Sequence, residues 1–179
     1  LLGKGPSPDF AFFLKDNSGL DNEWALWVRG NRIHDDSQNV GVTLTENAWE
    51  HVAITYDVTD GVKYYLNGAV TTPVSVAASS TSAAVTDNAV AMAFGGKLES
   101  GDTTDSDRVF TGQMDDIRYW DGVRTASEIN ANKKVALRGD EDGLIGYWRL
   151  DANFTDSAGL GSGNNVADTM QETATNALT

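Results

Sequence analysis

A group of acidic side chains near the middle of the chain has the residue types and spacing that best fit a chemical role. Glu99, Asp102, Asp105 and Asp107 stand in a polar stretch, residues 97–107, that has no apolar periodicity and is predicted to be an irregular loop. Clustered carboxylate oxygens are the ligands that Ca²⁺ accepts in its flexible, oxygen-rich sites. The spacing is not that of an EF-hand, and no glutamate closes the loop. The stretch therefore predicts either a calcium site or a solvated acidic loop.

A second acidic feature, Asp115-Asp116, lies inside the stretch from residue 108 to residue 120. The apolar pattern of that stretch changes phase near the two aspartates, which predicts a long strand with one irregularity at its middle. One of the two carboxylates must then face the interior or the rim, where a buried charge needs partners. The favoured interpretation is a structural ion pair, or hydrogen bonds, to Arg118 or Arg124.

Other common catalytic signals are lacking in the sequence. Neither histidine is accompanied by a serine or cysteine nucleophile motif, and no glycine-rich phosphate loop occurs. Tryptophan side chains could stack against sugar rings. However, most of them stand in strand registers that favour core packing, namely Trp24, Trp27, Trp49 and Trp148.

The overall charge restricts the partners of this chain. Its 179 residues carry a net charge of −13, with 26 acidic against 13 basic side chains. That balance disfavours binding to nucleic acid or to an anionic membrane surface. No apolar run approaches the roughly 20 residues that a membrane span needs, so no membrane insertion is predicted. The chain holds no cysteine, so the sequence indicates no disulfide framework and no particular redox compartment.

Short apolar or alternating runs, separated by turn signals, must position these side chains. Asn67-Gly68 is a strong hairpin signal, and Thr125 with Glu128 makes a capping box that predicts a helix from Thr125 to about Leu137. About ten short strands with one helix indicate an all-β, two-sheet antiparallel sandwich over residues 1–159, followed by a polar tail or linker over residues 160–179. The main predicted strands are residues 10–15, 24–28, 40–45, 49–56, 62–66, 89–94, 108–120 and 144–150.

Several segments, taken in order, resemble one known group of domains. They are Trp-Glu-His-Val-Ala-Ile-Thr-Tyr-Asp at 49–57, Tyr-Leu-Asn-Gly at 65–68, Phe-Thr-Gly-Gln-Met-Asp-Asp-Ile-Arg-Tyr-Trp at 110–120 with Arg-Thr-Ala-Ser-Glu-Ile at 124–129, and Gly-Leu-Ile-Gly-Tyr-Trp at 143–148. Together they resemble the laminin-G-like and pentraxin-like branch of the concanavalin A-type lectin/glucanase superfamily, over about residues 1–150. The resemblance implies a jelly-roll sandwich. It also implies that opening strands are missing from this chain, because family members have further strands ahead of the segment that residues 1–5 resemble.

The resemblance also bears on the acidic residues. In pentraxin-like proteins the calcium ligands come from the same loop and from a residue early in the domain, for which Asp9 is the nearest counterpart. The implied metal set is therefore Asp9 together with the four acidic residues of the loop. Related glucanases keep their catalytic acids on the strand that ends here at Trp120, and retaining hydrolysis needs two carboxyl groups about 5 Å apart. No Glu-x-Asp-x-x-Glu pattern occurs in this chain, so it is predicted not to be an enzyme.

These observations lead to one main functional hypothesis and two alternatives. The main hypothesis is a non-catalytic recognition or adhesion module of an extracellular, cell-surface or virion-surface protein. It would bind glycan, or a surface protein, through rim loops with the assistance of Ca²⁺, as part of a larger chain or assembly. The first alternative is a structural assembly or decoration module completed by another segment or subunit. The second is a divergent glucanase.

Overall fold

The computed structural model describes residues 2–4, 10–17, 20–28, 31–32, 44–57, 59–71, 92–98, 104–151 and 157–158. Up to residue 32, at residue 92, and at 97–98 and 104–109 the description covers the backbone only. Within these ranges twelve strands and one short helix are present, and every pairing between strands is antiparallel, which confirms the predicted all-β class. Nothing in the described part of the chain has the length and apolar character of a membrane-spanning helix.

The chain divides into two compact units. Unit 1 comprises Leu1–Thr111 and Val123–Lys134, and unit 2 comprises Gly112–Gly122 and Val135–Thr179. In chain order the elements are β1 (Leu2–Lys4), β2 (Phe10–Asn17), β3 (Leu20–Val28), β4 (Asn31–Arg32), β5 (Val52–Asp57), β6 (Gly61–Leu66), β7 (Ala69–Val70), β8 (Met92–Phe94), β9 (Gly96–Leu98), β10 (Thr104–Val109), β11 (Ile117–Trp120), α1 (Ala126–Asn132) and β12 (Leu144–Trp148).

The largest sheet of unit 1 has the strand order β4-β3-β2-β1-β8. Strands β2 and β3 pair along most of their length, with Phe12 opposite Leu26 and Phe13 opposite Ala25. The predicted strands at 10–15 and 24–28 are confirmed, and both extend further than predicted. Of the predicted strand at 40–45, residues 40–43 lie outside the described residues, and Leu44 and Thr45 are not in a strand.

Strands β5, β6 and β7 form a second sheet whose turns follow the sequence signals. Between β6 and β7, Asn67 and Gly68 have φ values of 51° and 82°, the positive values that a two-residue hairpin turn requires. A Cβ atom on Gly68 would lie 2.7 Å from Oδ1 of Asn130 in helix α1, so only glycine permits this close approach. On β6, Val62 and Tyr64 are 1% and 2% exposed, and Tyr65 on the opposite face is 3% exposed, so residues on both faces of this strand are buried.

Helix α1 begins as predicted and ends earlier than predicted. The Thr125 hydroxyl accepts a hydrogen bond from the Glu128 N–H, and the Glu128 carboxylate accepts one from the Thr125 N–H, which completes the capping box. The helix ends at Asn132 rather than near Leu137. The Leu137 N–H donates to the Tyr147 hydroxyl at 3.1 Å instead of extending the helix, and its side chain joins the core of unit 2.

Two further predictions about the middle of the chain are wrong. The stretch at 97–107 is not one irregular loop, because β9 and β10 pair as antiparallel strands on either side of residues 99–103, which lie outside the described residues. The predicted long strand at 108–120 is interrupted: β10 ends at Val109, residues 110–116 have no regular structure, and β11 starts at Ile117. Asp116, just before β11, has a φ of 57°, a left-handed conformation that cannot continue a strand.

Unit 2 packs around the pair formed by β11 and β12. Its buried cluster consists of Leu137, Leu144, Tyr147 and Ala158, with Trp120 packed against it. The Ser157 N–H donates to the Tyr147 carbonyl oxygen at 2.6 Å and so holds the segment at 157–158 against β12. The predicted domain boundary at residue 159 stays a prediction, because residues 159–179 lie outside the described residues.

Candidate functional site

The predicted calcium ligands lie largely beyond what the structure describes. Asp9, Glu99 and Asp102 are outside the described residues. Asp105 and Asp107 lie in β10, where only the backbone is described. Among the described residues no group of three or more His, Cys, Asp or Glu side chains could hold a metal ion. The predicted metal set therefore stays a prediction.

Asp116 forms the structural ion pair that the sequence suggested, and its partner is Arg118. The Arg118 guanidinium donates to the Asp116 carboxylate and also to the Val135 carbonyl oxygen, the latter at 2.6 Å. The Arg118 side chain is 10% exposed, and its guanidinium carbon lies 5.7 Å from the centroid of the Tyr147 ring. Arg124, the other candidate partner, instead pairs with Glu128 at 2.9 Å.

Tyr147 completes this polar network at the core of unit 2. Its side chain is 1% exposed, and its hydroxyl accepts the Leu137 N–H and donates to the Asp116 carboxylate. Burial, followed by the hydrogen bond to Asp116, raises the pKa of the Tyr147 hydroxyl. The phenol therefore stays neutral and donates throughout the physiological range. An Asp116 carboxylate that is held by an arginine and a buried tyrosine is suited to structural support.

Trp49 contradicts its predicted role. The sequence places it in a strand and in the core, whereas β5 begins only at Val52 and the Trp49 side chain is 66% exposed. The strand register does not apply to Trp49, because it precedes the first ladder pair of β5, which joins Val52 to Leu66. Trp148, by contrast, is 4% exposed and confirms its predicted core position. The side chains of Trp24 and Trp27 lie outside the described residues, so their predicted core positions stay predictions.

Hydrogen bonds on both sides of Trp49 fix the loop that presents it. The Glu50 carboxylate accepts from the Thr45 N–H at 2.9 Å and from the Thr45 hydroxyl at 3.2 Å. The His51 N–H donates to the Asn67 side-chain oxygen at 3.1 Å, and the His51 carbonyl accepts the Asn67 N–H at 2.8 Å. The indole is therefore exposed on an ordered loop beside the hairpin turn between β6 and β7.

Unit 1 also contains a groove, called here the β6 groove, with a volume of about 510 Å³. This volume lies within the roughly 300–1,000 Å³ range of small-molecule sites. Lys63 and Tyr65 lie on the same face of β6, and Val70 is the cross-strand partner of Tyr65, so all three line one side. The segment that leads into helix α1 forms the other side. The complete lining is Asp60, Lys63, Tyr65, Val70, Val123, Arg124, Thr125 and Ala126.

The charged side chains of the β6 groove are paired near the surface. Nζ of Lys63 lies 3.4 Å from Oδ2 of Asp60, whose side chain is 65% exposed. The guanidinium of Arg124, 27% exposed, lies 2.9 Å from Oε1 of Glu128. Hydrogen bonds from the Thr125 N–H and hydroxyl to Glu128, together with the charge of Arg124, lower the pKa of the Glu128 carboxyl.

A capped turn positions Asp60 at the end of the groove. The Asp57 carboxylate accepts the Thr59 N–H at 2.7 Å and the Asp60 N–H at 3.0 Å. These backbone hydrogen bonds, led by the one from Asp60, lower the pKa of the Asp57 carboxyl. The turn signal Asp60-Gly61 was visible in the sequence. The groove was not, because it forms only where the segment at 123–126 lies near β6 and β7.

Comparisons with known proteins bear on the fold that carries these features. A search of curated proteins and a search of solved structures each returned no match. Residues 3–130 match a laminin G-like family model described as the concanavalin A-like lectin/glucanases superfamily. The match covers well over half of the 179 residues and includes Trp49 and the whole β6 groove. The chain therefore belongs to the concanavalin A-like lectin/glucanase superfamily.

Proposed function

We propose that this chain is a non-catalytic recognition domain that binds glycan, with the Trp49 indole as the platform for a sugar ring. The observation that carries the proposal is the 66% exposure of the Trp49 side chain. Tryptophan is highly buried on average, and aromatic side chains supply much of the energy of cores and interfaces. A sugar ring laid on the indole would cover this apolar surface while its hydroxyl groups stay hydrated.

Order in the Trp49 loop favours binding energetically. A ligand that immobilises a flexible loop loses part of its interaction free energy to ordering, about 0.5–1.5 kcal/mol for each side chain fixed. The hydrogen bonds of Glu50 and His51 already hold the backbone on either side of Trp49. A sugar would therefore meet a platform whose position is fixed before binding.

The non-catalytic part of the proposal rests on the state of Asp116. Retaining glycosidases need a nucleophile and an acid/base about 5 Å apart, with a proton free to move between enzyme and substrate. The Asp116 carboxylate instead forms an ion pair with Arg118 and accepts a hydrogen bond from the Tyr147 hydroxyl. Both partners hold the Asp116 carboxylate in place, which suits a structural role rather than proton transfer to a substrate.

The proposal includes a setting and a cofactor. We propose that the domain is a two-sheet jelly roll of an extracellular, cell-surface or virion-surface protein, within a larger chain or assembly. Ca²⁺ would assist glycan binding through carboxylate oxygens, which are its preferred ligands. The residues that would supply them are Asp9, Glu99, Asp102, Asp105 and Asp107.

A glycan array probed with the full chain, in the presence of Ca²⁺ and of chelator, tests the proposal. We expect at least one glycan class to bind, Trp49→Ala to weaken that binding about tenfold or more, and Trp49→Tyr to retain most of it, because tyrosine keeps an aromatic face. Both variants should melt within a few degrees of the parent chain, since an exposed side chain contributes little to stability. Arrays that are blank with and without chelator, together with no thermal shift on adding Ca²⁺, would refute the proposal.

Two further measurements separate the proposal from the alternatives. A reducing-sugar assay on laminarin-type and galactan polysaccharides should give no product above background, whereas turnover would favour a divergent glucanase. Light scattering of the full chain addresses the structural alternative. Stable self-association combined with blank glycan arrays would favour an assembly module.

A further inference from the structure

We infer that Asn67 is the positioning residue of the Trp49 platform and that helix α1 holds Asn67 in place through Lys133. The inference rests on the proposed function and extends that binding site to the turn between β6 and β7 and to the end of α1. The juxtaposition behind it is a chain of hydrogen bonds that runs from Asn130 and Lys133 through Asn67 to His51, two residues after Trp49.

The side chain of Asn67 takes the place of a backbone carbonyl at the end of the ladder between β5 and β6. Residues that face each other in a hydrogen-bonded antiparallel pair exchange two bonds between their backbones. Val52 pairs with Leu66, so His51 faces Asn67 in the same register. The Asn67 N–H donates to the His51 carbonyl oxygen at 2.8 Å, but the His51 N–H donates to Oδ1 of Asn67 at 3.1 Å. The second bond of this pair, one residue nearer to Trp49, therefore depends on the side chain at position 67.

The carbonyl group of Asn67 is bound to helix α1 instead. Asn67 has a φ of 51°, the left-handed conformation that begins the hairpin turn. Its carbonyl oxygen accepts a hydrogen bond from Nζ of Lys133 at 2.7 Å, and the same ammonium donates to Oδ1 of Asn130 at 2.6 Å. Lys133 is the C-cap residue of α1, so its ammonium joins the turn to the end of that helix.

Close packing supports this connection between the turn and the helix. A Cβ atom on Gly68 would lie 2.7 Å from Oδ1 of Asn130 and 3.0 Å from its Cα, so the backbone of the turn lies directly against α1. Contact of this kind prevents the turn from moving toward the helix. The hydrogen bond from Lys133 opposes movement in the other direction.

The hydrogen bonds on the other side of Trp49 have a different role. The Glu50 carboxylate accepts from the N–H and hydroxyl of Thr45, 5 residues earlier, so these bonds shape the loop from within. The bonds between His51 and Asn67 join residues 16 apart in the chain and connect the loop to the hairpin. A ligand on the indole benefits from Asn67 because the platform is held to the sheet before the ligand arrives.

Two substitutions at position 67 separate the side-chain oxygen from the turn. Asn67→Gly keeps a residue suited to positive φ and removes Oδ1, whereas Asn67→Asp tolerates the same φ and keeps an acceptor oxygen. In NMR relaxation and hydrogen-exchange measurements on the full chain, Asn67→Gly should increase the mobility of the Trp49 indole N–H and accelerate exchange at the His51 amide about tenfold or more. Asn67→Asp should restore both to the parent values. The Trp49 indole is identified by the signal that Trp49→Tyr removes.

Binding to the glycan array supplies the functional measurement. Asn67→Gly should weaken binding to the glycans that the parent chain binds by about two- to tenfold, since each side chain that a ligand must immobilise lowers its affinity. Lys133→Met should weaken it in the same direction, and Lys133→Arg, which keeps a donor, should retain most of it. The control is Lys134→Met, which removes the same charge from the next residue, an exposed one, and should change neither indole mobility nor binding.

The outcomes separate the inference from the proposed function. Unchanged indole mobility and His51 exchange in Asn67→Gly would overturn the inference, while glycan binding by the parent chain would still support the proposed function. Equal losses in Asn67→Gly and Asn67→Asp would overturn it as well, as would equal effects of Lys133→Met and Lys134→Met. An array that is blank for the parent chain would refute the proposed function, and indole mobility and His51 exchange would then decide the inference. Circular dichroism shows which variants fold, and the Lys133 variants decide the outcome if Asn67→Gly does not.

Discussion

Removal of one hydroxyl group, by Tyr147→Phe, would test how the Asp116 network supports unit 2. The hydroxyl accepts the Leu137 N–H at 3.1 Å and donates to the Asp116 carboxylate. Phenylalanine keeps the aromatic ring, which is 1% exposed, and so keeps the packing. The substitution therefore isolates the polar contribution of Tyr147.

The expected loss of stability can be worked from these contacts. Leu137 is 8% exposed, so its N–H would be left buried without its acceptor, which costs about 1–3 kcal/mol. Asp116 loses a donor as well, but its side chain is 33% exposed and it keeps Arg118, so water and arginine compensate much of that loss. Phenylalanine gains a little because it buries no hydroxyl. The net expectation is a decrease of about 2 kcal/mol in the free energy of unfolding.

Urea denaturation of the parent and variant chains measures this difference, with m-values compared to check that the unfolding transition is unchanged. Hydrogen exchange at the Leu137 amide gives a local reading, and we expect it to accelerate about tenfold or more. The matched control is Tyr56→Phe. Within the described residues the buried Tyr56 hydroxyl has no hydrogen-bond partner, so its removal should be neutral or slightly stabilising.

The pH dependence supplies an independent check. The folded state raises the pKa of Tyr147 and therefore binds the phenolic proton more tightly than the unfolded state does. This stabilisation is complete below the unfolded pKa of about 10 and is lost as the pH rises through the folded pKa. The stability difference between parent and Tyr147→Phe should thus shrink above about pH 10. Equal small effects of Tyr147→Phe and Tyr56→Phe, with unchanged Leu137 exchange, would refute the reasoning.

Three other substitutions have expected effects on stability, each measured by chemical or thermal denaturation. Thr125→Ala removes the N-cap of α1 and should cost about 1 kcal/mol, whereas Thr125→Ser should retain stability; equal losses would contradict the capping role. Gly139→Ala should cost more than about 2 kcal/mol, because φ is 93° there and the new Cβ would lie 2.1 Å from the Ser157 carbonyl oxygen. Gly122→Ala, with no atom within 4 Å of the new Cβ, is its near-neutral control. Backbone hydrogen bonds lower the pKa of Asp57, so its stabilisation is complete above its unfolded pKa and is lost as the pH falls through the lower folded pKa. Asp57→Asn should reduce the loss of stability at acid pH, and an unchanged dependence of stability on pH would contradict this role of Asp57.

The sequence predicted features that depend on local chemistry. The Asn67-Gly68 turn, the Thr125 capping box and the pairing of Asp116 with Arg118 all follow from residues close together in the chain, and all are confirmed. The same local signals did not predict where strands and the helix end or are interrupted. The strand predicted at 108–120 is interrupted between Val109 and Ile117, where Asp116 has a left-handed backbone. Helix α1 ends at Asn132, and Leu137, predicted to be its last residue, packs in the core of unit 2.

The candidate binding surfaces could not be predicted in the same way. Trp49 precedes the first ladder pair of β5, Val52 with Leu66, so the alternating pattern that predicted its burial does not apply to it. The β6 groove brings Lys63 and Arg124 together across a long interval of sequence. The sequence around Trp49 does not distinguish an exposed tryptophan from a buried one. The sequence of β6 likewise does not distinguish a strand beside a groove from one in a flat sheet.

The sequence by itself determined the superfamily, the all-β class, the turns and the cap, because hydrophobic alternation and backbone preferences act over a few residues. The tertiary structure decided which of these residues are exposed, which are paired and which line a groove. Exposure of Trp49, engagement of Asp116 by Tyr147 and assembly of the β6 groove each depend on contacts between residues distant in the chain. Such contacts are set by the packing of whole elements against one another, which no short window of sequence encodes.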